Sequence, residues 1–208
     1  RALAIWEKSL GPEHPNLAIF ANNFGMFFQR QGFYAEARPL LERSLAIREK
    51  IYGSEHRSLA TGLNNLGMVL ANQGSYAEAR PLYERALAID KKILGPDHPD
   101  VAYSLNNLAY LFQKQGSYAE ARPLYERALV IVVKAFGPEH PRVAVALNNL
   151  ASLLDAQGSY AEARLLYERT LAIDKKTLGP NHPDVVRSLN NFALLLKVQG
   201  SYAESRPL

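Results

Sequence analysis

Histidine is the side chain best suited to proton transfer near neutral pH, and it is the commonest metal ligand. The chain carries five: His14, His56, His98, His140 and His182, each 42 residues from the next. A metal site or a catalytic dyad needs unlike groups converging on one point. Equal spacing does the opposite, because it hands one histidine to each period. The five are therefore read as cap and loop-packing residues. Cysteine is absent, which removes disulfides, zinc thiolates and thiol nucleophiles. No glycine-rich phosphate loop stands between a strand and a helix. The expectation is a protein that is not an enzyme and has no cofactor and no metal.

Amide chemistry is the stronger signal. Asparagine pairs recur at Asn22-Asn23, Asn64-Asn65, Asn106-Asn107, Asn148-Asn149 and Asn190-Asn191. One asparagine supplies two donors and an acceptor, so it can bracket a peptide unit of a partner. The alternative use is a self-satisfying amide ladder between adjacent helices. We assign Asn22, Asn64, Asn106, Asn148 and Asn190 to a partner's backbone. The following residues, among them Asn65, Asn107 and Asn149, lie on the same groove and are assigned to inter-helix bonding.

The neighbours of these amides vary from period to period. They include Met26, Gln29 and Arg30, then Thr61, Met68 and Ala71, then Tyr103, Tyr110, Gln113 and Lys114. Val145, Ser152 and Asp155 follow, and last Arg187, Leu194 and Lys197. Constant amides suit a backbone, which is the same in every peptide, and variable side chains suit its sequence. Arg30, Lys114, Arg187 and Lys197 outweigh Asp155, which points to acidic segments. Met68, Tyr103 and Tyr110 offer an apolar pocket for one large anchor, or else pack against the next helix.

The spacing that carries these residues decides the fold. Ser75 to Leu87 reads SYAEARPLYERAL, and the same thirteen letters return at Ser117 to Leu129. A fixed period of this size means a repeat array. Leu59, Leu63, Leu66 and Leu70 follow the period of one helix face, which predicts helix A over about 57–72. Gln73-Gly74 ends it with a left-handed terminal residue. Ser75 with Glu78 reads as a capping box for helix B, which runs to about Leu94. Pro81 lies inside helix B, where it strands the carbonyl of Ala77. It either bends the helix or marks a later start. His98-Pro99 caps and opens the next helix A. Small residues mark close helix contacts: Gly25, Gly67, Ala109, Ala151 and Ala193 on helix A, and Ala37, Ala79, Ala121 and Ala163 on helix B. In the third unit Val132 and Val133 replace the Asp90-Lys91 pair, an apolar departure that reads as a partner contact or as ordinary exposure.

Gly67, Gly74, Tyr76, Ala79, Tyr83 and Ala86 together resemble the tetratricopeptide repeat. The ordinary unit of that family has about 34 residues, and this one has 42. The longer helix B, the G-P-x-H-P connection and the L-N-N-L-A helix resemble the kinesin light chain type. The resemblance implies an all-α right-handed superhelix of antiparallel helix pairs. Its A helices would line a concave face that binds extended peptides.

The organisation expected is one array over 1–208. It comprises a half helix B at 1–10, repeats at about 15–52, 57–94, 99–136 and 141–178, and an incomplete repeat at 183–208. This reads as a piece of a longer array. Leu3 and Ile5 at one end and Leu194, Leu195 and Leu196 at the other would then favour weak head-to-tail self-association. At 48% hydrophobic residues a shared core is within reach. No apolar run approaches the roughly 18 residues a membrane span requires, so a cytoplasmic protein with no membrane partner is expected. A net charge of +4 with interspersed acids forms no unbroken basic stripe, which argues against nucleic acid. The leading function is a peptide-binding scaffold, with self-association of a larger protein as the alternative.

Overall fold

A computed structural model describes residues 11–198. These hold nine helices: α1 Pro15–Arg30, α2 Tyr34–Tyr52, α3 Arg57–Asn72, α4 Tyr76–Leu94, α5 Pro99–Lys114, α6 Tyr118–Phe136, α7 Pro141–Ala156, α8 Tyr160–Leu178 and α9 Pro183–Val198. No strand occurs among the described residues. The expected half helix at 1–10 and the stub at 201–208 lie outside them. The chain divides into two compact units, Arg1–Pro96 and Asp97–Leu208. Odd-numbered helices are the A helices and even-numbered ones the B helices. In the first unit α1 packs on α2 and α3 on α4, and α2 joins the pairs through α3. In the second unit α5 pairs with α6 and α7 with α8, while α6 meets α7 and α8 meets α9.

Every A helix opens on a histidine whose side chain does the capping. The Nδ1 atoms of His14, His56, His98, His140 and His182 accept from the backbone N–H two residues on, at 3.1–3.2 Å. An accepting Nδ1 carries no proton, so this is the role of a neutral ring. Two of the rings also stack on the end of the preceding helix, His56 on Tyr52 and His140 on Phe136.

Helix B starts differently from expectation. Ser75 precedes Tyr76 but its side chain makes no capping hydrogen bond, and Ser117 and Ser159 behave alike. The glutamate three residues on is drawn outward instead. Arg38 reaches Glu78 at 2.7 Å and Arg122 reaches Glu162 at 3.0 Å. An arginine fork binds a carboxylate more strongly than one backbone N–H does, so the box gives way to ion pairs between successive B helices. Helix α4 begins at Tyr76 and runs unbroken past Pro81. Pro39, Pro81 and Pro123 are all exposed, on a side where water can satisfy the stranded carbonyl.

Successive pairs within a unit are matched by two residues fourteen apart. Asp174 accepts from the Ser188 hydroxyl at 2.6 Å, and both are nearly fully buried. At the corresponding positions of the preceding junction stand Val132 and Ala146, also buried. Val132 is thus core and not a surface departure, while Val133 is half-buried. In the first unit the positions hold Arg48 and Gly62. There the guanidinium donates to the Ser58 carbonyl at 2.8 Å, and the glycine lies against Leu45 and the arginine stem. A polar pair, an apolar pair and a large–small pair fill one niche.

Two stability experiments follow from these contacts. Ser188→Ala strands a buried carboxylate and should cost about 1–3 kcal/mol, whereas Asp174→Val with Ser188→Ala should restore most of it. Urea unfolding of the single and double variants measures the coupling; simple additivity would contradict the pairing. Likewise His140→Ala should cost about 1 kcal/mol, and His140→Asn, a residue that caps the same way, should cost little.

Candidate functional site

The A-helix amides form ladders in both units. In the first, the Asn65 amide donates to Asn22 Oδ1 at 2.9 Å. In the second, Asn149 donates to Asn106 at 3.3 Å and Asn191 to Asn148 at 2.9 Å. The second asparagine of each pair is the donor, and the first asparagine of the preceding pair is the acceptor. Asn106 is engaged at both ends, because its own amide donates to the Ala102 carbonyl at 2.8 Å. Asn64 and Asn65 are buried at 3% and 8% exposure. Asn107 is half-buried. Asn148 gives its oxygen to the ladder and keeps its amide hydrogens, and Asn190 is exposed.

The other sequence-derived residues scatter. In the first unit Met68 is half-buried on α3 and Arg30 is exposed at the end of α1. In the second unit Tyr103 and Asn106 line a cavity of about 290 Å³ with Val132, Arg142 and Val145. Tyr110, Lys114, Asn148 and Asn149 line a larger one of about 490 Å³. Tyr103 and Tyr110 therefore serve different hollows. Arg187 is held by Asp184 at 2.8 Å on its own helix, and Lys197 is exposed and lines neither cavity.

The larger cavity lies on the A-helix side, against α5, α7 and α9, and B-helix tyrosines supply part of its wall. The Tyr125 hydroxyl donates to Gln113 Oε1 at 3.0 Å, and Gln113 Nε2 donates to Ser152 Oγ at 3.2 Å. Ser152 hydrogen-bonds Tyr167 in turn. Burial, with the charge of Asp155 nearby, pushes the Tyr167 phenol up to about 12. Burial also raises Tyr125, and it raises the Asp155 carboxyl above the usual carboxylate range. Lys114 sits over the Tyr110 ring, 5.3 Å from its centre. The wall offers amides, phenols, one carboxylate and one ammonium. No cluster of histidine and acidic residues able to hold a metal occurs among the described residues.

Sequence reasoning named Gln113, Ser152, Asp155 and Leu194 on the variable stripe but missed Tyr118, Tyr125 and Tyr167. The signal was present. A repeating core aromatic that is tyrosine in place of phenylalanine carries a hydroxyl that must find a partner.

These units of paired helices, with small residues at the contacts and an amide-lined A-helix side, define a helical-repeat interaction scaffold. The tetratricopeptide repeat model matches residues 17–92, 58–131, 100–176 and 156–208, and the chain belongs to that family. Its structure is similar to that of a Podosopora anserina protein described as a kinesin light chain with nearly identical TPR-like repeats. Identity is 31%, over 93% of this chain and 92% of that one, with a TM-score of 0.75. A second structure of that protein gives 0.76. BtubC (BKLC) from P. vanneervenii, 23% identical over 93% of this chain and 77% of its own, shares the fold with a TM-score of 0.77. So does a Rap protein complexed with competence and sporulation factor, 17% identical over 91% of this chain and 51% of its own, with a TM-score of 0.79. No match was found among curated proteins.

The raised phenol is open to direct measurement. The unfolded chain releases a tyrosine proton near pH 10, and folded Tyr167 keeps its proton to about pH 12. Its contribution is fully present below pH 10 and is lost as pH rises through that window. Near-ultraviolet titration should show late-ionising phenols, one fewer in Tyr167→Phe. If every tyrosine ionises together near pH 10 in the folded protein, the buried network is absent.

Proposed function

We propose that the protein is a non-catalytic scaffold that binds extended peptide segments along the A-helix surface. The observation that carries this reading is the 490 Å³ cavity, whose wall mixes apolar rings with amides that the ladder leaves partly unspent. It has the size and mixed lining of a ligand site. Asn148 and Asn190 are the amides open to a partner's backbone, while Asn22 and Asn106 serve mainly to hold the helices in register and Asn64 is buried. Met68, Tyr110 and Leu194 are candidate apolar contacts, and Tyr103 is one in the smaller cavity. The segments preferred are acidic with one large apolar residue. Lys114, Lys197 and Arg30 supply the attraction, with Arg187 weakened by its bond to Asp184.

Protein or peptide is the partner class, and neither a nucleic acid nor a membrane is proposed as one. No helix among the described residues is long and apolar enough to cross a membrane. A cytoplasmic location and weak head-to-tail self-association remain parts of this proposal; for the latter Leu3 and Ile5 lie outside the described residues, Leu195 and Leu196 are buried, and Leu194 alone of the three leucines is exposed.

The test is a peptide array followed by titration in solution. Acidic peptides carrying Trp, Phe or Leu should bind better than basic counterparts, and added salt should weaken them. Lys114→Glu should reduce that preference several-fold without changing the thermal midpoint. Equal binding of acidic and basic peptides would remove the electrostatic half of the reading, and no binding by any peptide would remove the whole.

A further inference from the structure

The larger cavity of the second unit holds one carboxylate, Asp155, and one ammonium, Lys114, and the two do not pair. Lys114 lies over Tyr110. Asp155 accepts no side-chain ion pair or hydrogen bond among the described residues, although it is partly withdrawn from water. Its neighbour Tyr167 stays neutral and so brings no charge that would offset the carboxylate. A half-buried carboxylate with no partner is costly, and a cation brought to it regains Coulomb energy where water screens less. The surroundings suit a particular cation. Half-buried Tyr118 offers aromatic surface and Asn149 an amide, and a planar guanidinium uses rings and acceptors together better than a compact ammonium does. The hollow is large enough for a whole side chain.

We propose that this cavity is a subsite for an arginine side chain of the bound peptide, with its guanidinium on Asp155, while Lys114, on another helix of the same wall, takes a neighbouring acidic residue. This rests on, and narrows, the peptide-scaffold reading: within an acidic segment one position is basic. The site is dipolar, so it fixes the direction in which the peptide lies as well as its composition.

The equivalent of Asp155 in the second period is Ala71, on a helix that forms normally. Asp155→Ala and Asp155→Asn should therefore fold, which unfolding curves can verify. The first arm uses N-ethylguanidinium chloride as the probe and follows backbone amide resonances of α7 and α8. In the unaltered protein the signals of Ser152, Asp155 and Tyr167 should shift saturably. Either variant should weaken binding by about tenfold or more, as loss of a charge-assisted contact implies. Lys114→Ala should leave it unchanged or stronger. Shifts that persist undiminished in Asp155→Asn, or none at all because Lys114 already neutralises the carboxylate in solution, would overturn the proposal. The second arm scans one position of an acidic peptide through arginine, citrulline, norleucine and glutamate. Arginine should exceed citrulline about tenfold, and only when Asp155 is present. Peptides that bind with no preference for arginine would sink the subsite and leave the scaffold reading standing. Guanidinium binding with no peptide binding would remove the scaffold reading, and with it the assignment of the site to a peptide's arginine.

Discussion

The close approach of helix A to an aromatic residue of helix B is the contact on which the rest depends. A β-carbon on Gly67 would fall 2.8 Å from the Tyr83 ring, and one on Gly25 would fall 2.7 Å from Leu41. The second unit uses Ala109 and Ala151, both fully buried, with buried Tyr125 and Tyr167. Such contacts leave no space for a larger side chain without separating the helices. They also have a functional consequence. Because the A helix is thin at that point, the phenol reaches through to the A-helix side, where Tyr125 meets Gln113. Core packing thereby supplies polar groups to the cavity. In the first helix pair, where leucine replaces tyrosine, no such hydroxyl exists.

Charge is divided between two surfaces. On the B helices, i,i+4 pairs such as Arg80–Glu84 and Arg164–Glu168 are joined by bonds between neighbouring helices or their loops, including Arg85–Glu49, Lys92–Glu55 and Lys134–Asp97. All are at least partly open to solvent, so each contributes little to stability. Their effect is to spend most of the chain's charge on itself. The few charges on the A-helix side, Lys114 and Asp155 above all, then weigh more than the small net charge suggests.

The helix bounds, the histidine caps and the small-residue contacts were legible because each rests on a local rule repeated in every period. Helix α3 spans the residues that leucine spacing marks out, and every histidine at the loop end accepts the N–H two residues on. What failed had a competitor elsewhere in the fold. Glu78 fits a capping box by sequence but finds a stronger partner in Arg38, on the preceding B helix. Val132 looked like a surface departure because it was compared with Asp90 alone. Its meaning appears only with the change fourteen residues on, where Ala146 stands at the position of Ser188. The cavity itself draws side chains from five helices, and no one-dimensional stripe lists the B-helix tyrosines among them.

The central claim is that partners are held on the A-helix side and not on the charged B-helix faces. Amide hydrogen exchange, measured with and without the tightest peptide from an array, tests it most directly. The account predicts added protection in α7 and α9 around Asn148, Ser152 and Asn190, with the outer turns of α4 and α8 unchanged. Protection confined to the B helices near Glu84 and Lys176, with α7 unaffected, would contradict it.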